Sequence, residues 1–202
     1  MASDTIGAGN SSIRIAKLKD ARAISEIYAP YVAETVISFE LDPPGATEMA
    51  GRMKRIGASL PWLVHERDGQ VLGYAYASPH AERAAYRWSA DATVYVARGA
   101  HRRGVGRSLY QLLTAILDAQ GFHSVFGGIT LPNAGSVGLH EACGYAPIGV
   151  YREVGFKFGA WHDVGWWGLR LNAPASEPSE PASFTEEIFD RAVRSAARQG
   201  QG

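Results

Sequence analysis

Asp91-Ala-Thr-Val-Tyr-Val-Ala-Arg-Gly-Ala-His-Arg-Arg-Gly-Val-Gly-Arg-Ser-Leu-Tyr110 is the stretch on which the fold turns. Residues 92–97 are β-branched, aromatic or small, the composition of a buried strand. From Val105 onward Leu109, Leu112, Leu113, Ile116 and Leu117 recur at helical spacing, and Gly121 is a natural stop. Between strand and helix lies the basic turn Arg102-Arg103-Gly104-Val105-Gly106-Arg107. Glycines let a backbone approach a ligand closely. A helix start offers unpaired N–H groups and the positive end of a dipole, so such a junction favours a phosphate.

The glycine spacing narrows the ligand. A P-loop needs Gly-x-x-x-x-Gly-Lys-Ser/Thr after a strand, and the chain has no such string there. A dinucleotide fingerprint needs a glycine three residues after Gly106, where Leu109 stands. What remains is two glycines two apart, bracketed by arginines, a pattern that by itself also fits a glycine-rich turn of any α/β protein. Further strings accompany it: Thr93-Val-Tyr-Val96, Ala119-Gln-Gly-Phe122, Leu131-Pro-Asn133, Ser136-Val-Gly-Leu-His-Glu-Ala-Cys-Gly-Tyr145 and Gly159-Ala-Trp-His-Asp-Val-Gly165. Taken together, residues 13–171 resemble the GCN5-related N-acetyltransferases (GNAT), and within them the phosphinothricin and methionine-sulfoximine N-acetyltransferase branch.

That resemblance implies an α/β (α+β) domain: a mixed, mainly antiparallel central sheet splayed at its coenzyme-binding strand, with helices on both faces. It implies acetyl-coenzyme A as co-substrate, no metal, and direct acetyl transfer to the primary amine of a small amino-acid analogue in a ternary complex. By the same resemblance Arg102, Arg103, Gly104, Val105, Gly106 and Arg107 take the pyrophosphate. Backbone groups of Val94, Tyr95 and Val96 hold the pantetheine arm, and Asn133 contacts the coenzyme. His101 departs from the Gln or Arg that usually opens the loop motif.

The chemistry needs a base, because an alkyl ammonium, with a pKa near about 10, has no lone pair to attack a thioester. The resembled branch carries a glutamate where this chain has Asp91, a second departure, and the shorter aspartate implies a bridging water or a deeper-seated amine. Read without the resemblance, Asp91 is a solvated residue at the start of a strand. His140 stands where many relatives place a tyrosine that protonates the leaving thiolate; the bare alternative is a hydrogen-bonded structural histidine. Asn133 equally suits a helix cap. Phe39, Arg83 and Tyr86 match positions that hold the amino-acid analogue, and a guanidinium at Arg83 suits a carboxylate or phosphinate. Ala81 and Arg87 replace a lysine and an acid found in some relatives, which leaves the amine open among phosphinothricin, methionine sulfoximine and methionine sulfone.

Bulk properties agree with one domain. The 202 residues carry 20 basic and 20 acidic side chains, so no net field draws in nucleic acid. The one cysteine, Cys143, gives no disulfide framework and fits a reducing, cytoplasmic setting. No apolar run is long enough for a membrane span. Cys143 also reads as a buried inert thiol in preference to an acetyl-accepting nucleophile, and the single His162–Asp163 pair is too little for a metal.

Along the chain, residues 1–12 read as a disordered start, 13–172 as the catalytic domain, and 173–202 as a Pro/Ser/Glu-rich linker with a possible C-terminal helix that the catalytic core does not need. Asp20 is an expected N-cap for a helix over 21–32, which Pro30 should kink or end early. A second helix is expected over 47–58. Asp68-Gly69 marks a hairpin between strands at 62–66 and 71–77. Residues 79–90 read as a connecting loop. Family resemblance further implies a homodimer with the pocket near its seam. Two rivals stand beside this reading: a peptide N-terminal acetyltransferase with an open groove, and a non-catalytic coenzyme-binding module acting through the C-terminal helix.

Overall fold

Asp68 and Gly69 both take positive φ, 51° and 79°, as a two-residue hairpin turn between twisted strands requires. They join β2 (Trp62–Arg67) to β3 (Gln70–Pro79) in a computed structural model that describes residues 11–173 and 175–199. The other strands are β1 (Ser11–Ile15), β4 (Ser89–Val96), β5 (Ser124–Leu131), β6 (Ala146–Lys157) and β7 (Ala160–Arg170). They form one sheet in the order β1-β2-β3-β4-β5-β7-β6. Every neighbouring pair is antiparallel except β4 and β5, which run parallel. The expected mixed, mainly antiparallel sheet is therefore present.

Helices α1 (Ala21–Glu34) and α2 (Ala46–Gly57) cover one face, and α3 (Val105–Gln120) and α5 (Glu186–Gln199) the other; α4 (Ala134–Ala142) follows β5. The first face buries Ile24, Val32, Met49, Trp62, Val64 and Tyr74. The second buries the heptad-like stripe Leu109, Leu113, Ile116 and Leu117 of α3 against Ala75, Ala77, Ala90 and Ala92. Small residues on β3 and β4 let α3 lie close to the sheet, and each fully buried leucine contributes about 1.5–3 kcal/mol.

Several expectations need correction. The start assigned to residues 1–12 lies, for 1–10, outside the described residues, while Ser11 and Ser12 already pair in β1 with Arg67 and Glu66. Asp20 is the N-cap residue of α1 as expected, but its side chain makes no cap bond to that helix; its carboxylate instead receives Lys17 N–H at 2.7 Å and both terminal nitrogens of Arg14. Pro30 does not end α1, which runs on to Glu34. Glu26, whose carbonyl loses its helical partner to the proline, and Pro30 both line a surface cavity of about 700 Å3. Asp91 is the third residue of β4, inside the strand and not a solvated residue at its start.

The tail is also more than an appendage. Trp88 Nε1 donates to Ser179 O at 2.8 Å, and Ala182 exchanges hydrogen bonds with Gln120 at 2.8 and 2.7 Å. Thr185 Oγ1 accepts from Ile188 N at the start of α5, whose Ile188, Ala192 and Val193 join the core over α3. Ile188 and Ala192 are four apart, so they fall on one stripe of the helix.

Candidate functional site

β4 and β5 pair only at Ser89↔Ser124, Ala90↔Val125 and Asp91↔Phe126. Beyond that point β4 continues to Val96 beside β3, and β5 to Leu131 beside β7, without pairing to each other. The sheet is thus split, with its apex at Asp91. Parallel strands leave slanted ladder bonds, so the inner edge of β4 carries free main-chain groups.

Strand alternation tells which ones. Ala97 N–H donates to Leu72 O at 2.8 Å, on the β3 side. Residues one apart point their amides to opposite sides, so Val94 and Val96 face the split and Tyr95 faces β3. Of the three residues expected to hold an amide-bearing arm, Val94 and Val96 turn their amides into the split. Tyr95 instead contributes its ring, packed on Tyr28 and Tyr31 at 4.7 and 4.9 Å between centroids. Val96 O accepts from Tyr31 Oη at 2.5 Å and lies 3.0 Å from His101 Nε2. His101 Nε2 also lies 2.8 Å from Tyr31 Oη, so the histidine joins this hydroxyl and the Val96 carbonyl and fastens the basic loop to the end of β4. That is what this chain gains from a histidine there.

The loop itself opens directly into a helix start. Arg102 and Gly104 adopt positive φ, 59° and 80°, and Gly104 is the N-cap of α3. The left-handed cap leaves the first amides of α3, at Val105, Gly106 and Arg107, aimed out of the helix end. A Cβ on Gly106 would meet Leu139 Cδ2 at 3.3 Å and Val96 Cγ2 at 3.5 Å, so glycine lets the helix start, β4 and α4 converge. Arg102, Arg103 and Arg107 are exposed around it.

At the apex the carboxylate of Asp91 is held by a residue that the sequence did not single out. His80 Nδ1 lies 2.7 Å from Asp91 Oδ1. Burial pushes the Asp91 carboxyl up from its ordinary value, and the His80 hydrogen bond only partly opposes that. The His80 ring is walled by Phe126 at 4.6 Å, Tyr86 at 5.9 Å and Trp166 at 6.0 Å. Asp91 and Phe126 are register partners, and Gly128, two residues on, backs onto Trp166, so these groups share the α1–α2 face of the sheet.

His140 lies on the opposite face. It is 3% exposed, directly under Gly127, where an added Cβ would come 2.4 Å from Nε2. Nδ1 sits 2.8 Å from Ser136 O and must donate to it. Burial lowers the imidazole pKa, so the ring is neutral and Nε2 accepts from Tyr110 Oη at 3.0 Å. The single hydroxyl hydrogen of Tyr110 is contested by Ala92 O at 3.1 Å. Both ring nitrogens are therefore engaged inside the protein, and donation to a thiolate would require Tyr110 to give up its contact. Asn133 Oδ1 accepts from Ser136 N at 3.0 Å and caps α4, which leaves its amide nitrogen available. Cys143 ends α4 with its thiol pKa raised by burial, the setting of an unreactive thiol.

Of the substrate-side residues, Phe39 is seated on β6: a Cβ on Gly155 would fall 2.1 Å from its ring, and His162 lies 6.3 Å away. The loop that carries Phe39 is fixed by Lys157, whose ammonium donates to Val32 O, Ser38 O and Glu40 O at 2.6, 2.7 and 2.8 Å. Tyr86 edges onto His80 and so reaches the site. Arg83 is exposed and, among the described residues, makes no side-chain hydrogen bond or ion pair. Arg87 turns away to Glu180 and the Trp88 ring. Among the described residues no three His, Cys, Asp or Glu side chains converge as a metal site would need, and no helix is long and apolar enough to cross a membrane.

Residues 13–166 match the sequence model of the acetyltransferase (GNAT) domain. The chain is 42% identical over 176 residues to the phosphinothricin N-acetyltransferase of Streptomyces viridochromogenes, covering 87% of this chain and 95% of that one. It is 33% identical to the L-methionine sulfoximine/L-methionine sulfone acetyltransferase of Pseudomonas aeruginosa, covering 84% and 99%. Its fold superposes with a TM-score of 0.81, at 32% identity and covering 89% and 98%, on the crystal structure of a phosphinothricin acetyltransferase from Sinorhizobium meliloti in complex with acetyl-CoA.

Proposed function

Because the chain belongs to the GNAT acetyltransferase family, we propose that its split sheet and basic loop bind acetyl-CoA and that its apex delivers the acetyl group to a small amino-acid-like amine. The enzyme is an acetyl-CoA-dependent N-acetyltransferase of the phosphinothricin and methionine-sulfoximine type. The observation that carries the residue-level reading is the coincidence of two features: main-chain N–H groups of Val94 and Val96 turned into the split, and a half-buried carboxylate at Asp91 where the strands part.

The cradle fits the co-substrate on its own geometry. The first amides of α3 with Arg102, Arg103 and Arg107 would take the pyrophosphate, since a helix N-terminus and guanidinium groups both favour negative charge. Val94 and Val96 would pair with the amide-bearing arm as a neighbouring strand does, and the free amide nitrogen of Asn133 would add a contact. An N–H aimed into the split is placed to stabilise negative charge developing on the thioester oxygen. The Asp91–His80 pair takes the proton from the ammonium of the incoming amine. His140 is assigned to hold α4 under β5, in place of the donor role expected from the sequence.

Phe39, Tyr86 and Arg83 are assigned to the amine substrate, with Arg83 as the carboxylate partner. Self-association through the β6–β7 hairpin is supported by its surface: Ile148, Tyr151, Val154 and Phe156 on the edge strand β6 and Trp161 at the start of β7 are all at least half exposed. A dimer in the reducing cytoplasm, with residues 11–199 as one folding unit, completes the reading. The test is a thiol-release assay with acetyl-CoA against phosphinothricin, methionine sulfoximine, methionine sulfone, polyamines and peptides. Turnover confined to polyamines or peptides would overturn the substrate class.

A further inference from the structure

We propose that His80 is the base that receives the substrate's proton, through Nε2, and that Asp91 is the carboxylate that orients it. The inference rests on the acetyltransferase reading above and deepens it. An ionised carboxylate can only accept hydrogen bonds, so the 2.7 Å contact fixes the His80 proton on Nδ1. In the neutral ring the lone pair then lies on Nε2. Among the described residues that atom makes no hydrogen bond, and the side chain is 27% exposed at the apex of the split. Asp91 has its near oxygen occupied by His80 and its strand position in the floor of the sheet, paired on both sides. The imidazole reaches outward from that floor by the length of its ring. A chain one methylene shorter than glutamate thus recovers its reach through the histidine.

Three aromatic walls hold the ring. Phe126 of β5 and Trp166 of β7 flank it and Tyr86 meets its edge. The titratable groups facing His80 are Asp91 from β4 and Tyr86 from the β3–β4 connection; β5 and β7 present only rings. The arrangement matches the general pattern of a base positioned by a third group, with the carboxylate setting tautomer and orientation. The step balances as follows. The ammonium gives one proton to His80 Nε2, the freed lone pair forms the C–N bond, and the C–S bond breaks. The second nitrogen proton ends on the departing thiolate, and His80 returns its proton to solvent.

His80→Asn is the test, because its amide nitrogen can still donate to Asp91 while offering no base. Turnover of phosphinothricin, methionine sulfoximine or methionine sulfone by the native enzyme is measured first. The expected result is a kcat lower by about a hundredfold or more, the usual contribution of a positioned base, with acetyl-CoA affinity by calorimetry unchanged. The variant should also lack an acid-side ionisation present in the native kcat/KM profile, and imidazole in the medium should restore part of the activity of His80→Gly. Nitrogen-15 NMR of the unliganded native protein should show His80 protonated at Nδ1. An Nε2–H tautomer, or His80→Asn turning over within threefold of native, overturns the proposal and returns the base role to Asp91. Absence of native turnover with every amine would instead sink the parent reading, and this inference with it.

Discussion

Replacing Lys157 with methionine keeps the aliphatic stem and deletes the cation that hydrogen-bonds residues 32–40 to β6. The ammonium is 3% exposed and donates to three main-chain oxygens, with the Phe158 ring 5.0 Å away. Burial lowers its pKa and the nearby Glu40 carboxylate opposes that shift. Each hydrogen bond from a charged donor is worth about 1.5–3 kcal/mol net. Three such bonds set an upper range of about 4–9 kcal/mol, from which the relieved cost of burying the charge and the entry of water must be subtracted. We expect a loss of about 3 kcal/mol in urea unfolding followed by tryptophan fluorescence, with an unchanged m-value. For a chain of this size that is a Tm drop of about 6–12 °C. Because Phe39 lies within the same loop, the KM for the amine should rise while the acetyl-CoA Kd stays put. A loss below about 1 kcal/mol together with an unchanged amine KM would show that the loop is held by something other than this cation.

Three further outcomes follow from separate parts of the fold. Gly104→Ala forces a Cβ into a backbone at φ 80°, costing about 1–2 kcal/mol; calorimetry should show weaker acetyl-CoA binding with little change in amine KM. Ending the chain after residue 172 removes Ile188, Ala192 and Val193 and bares the α3 surface they cover, so circular dichroism should report a protein that fails to fold or melts far earlier, where an independent tail would leave melting untouched. Acid should erode stability in a defined window. Burial raises the Asp20 carboxyl, but Arg14 and the Lys17 amide outweigh it and lower the pKa; Arg52 chiefly lowers that of Glu40. Both folded values lie below the unfolded ones, so this stabilisation is complete above 3.8 and 4.5 and is lost as the pH falls through the folded values. Asp20→Asn should flatten part of that loss in denaturant titrations across pH 2–5.

The parts of this protein that could be read from residues alone are those whose physics is local. Asp68-Gly69 needs only two positive φ angles, Gly121 only a left-handed helix end at φ 90°, and α3 only its leucine stripe. The loop at Gly104 was legible for the same reason. His80 was not, because it meets Asp91 through the β3–β4 register, in which Ser78 faces Asp91 and β3 runs on through Pro79. A proline there reads as the end of a strand, although at that last position its missing N–H costs nothing. Asp91 reads as a strand start because Ser89 and Ala90 are weak strand formers, yet parallel pairing with β5 extends β4 over them. Docking of α5 depended on Gln120 and Ser59 meeting the linker, a long-range match that amphipathicity cannot reveal.

Within the sheet, three residue pairs stitch β1–β4 to the plate formed by β5, β7 and β6. Mechanically that is a seam, and the rungs it lacks can be supplied by any extended molecule bearing amides. Occupied, such a seam transmits load between the plates; bare, it is the first place where amide hydrogens should exchange with solvent. Stability measured without the thioester therefore describes the weaker form, and at a hundred times Kd the bound form gains about 2.7 kcal/mol. Purification and storage with the co-substrate should accordingly extend the enzyme's working life.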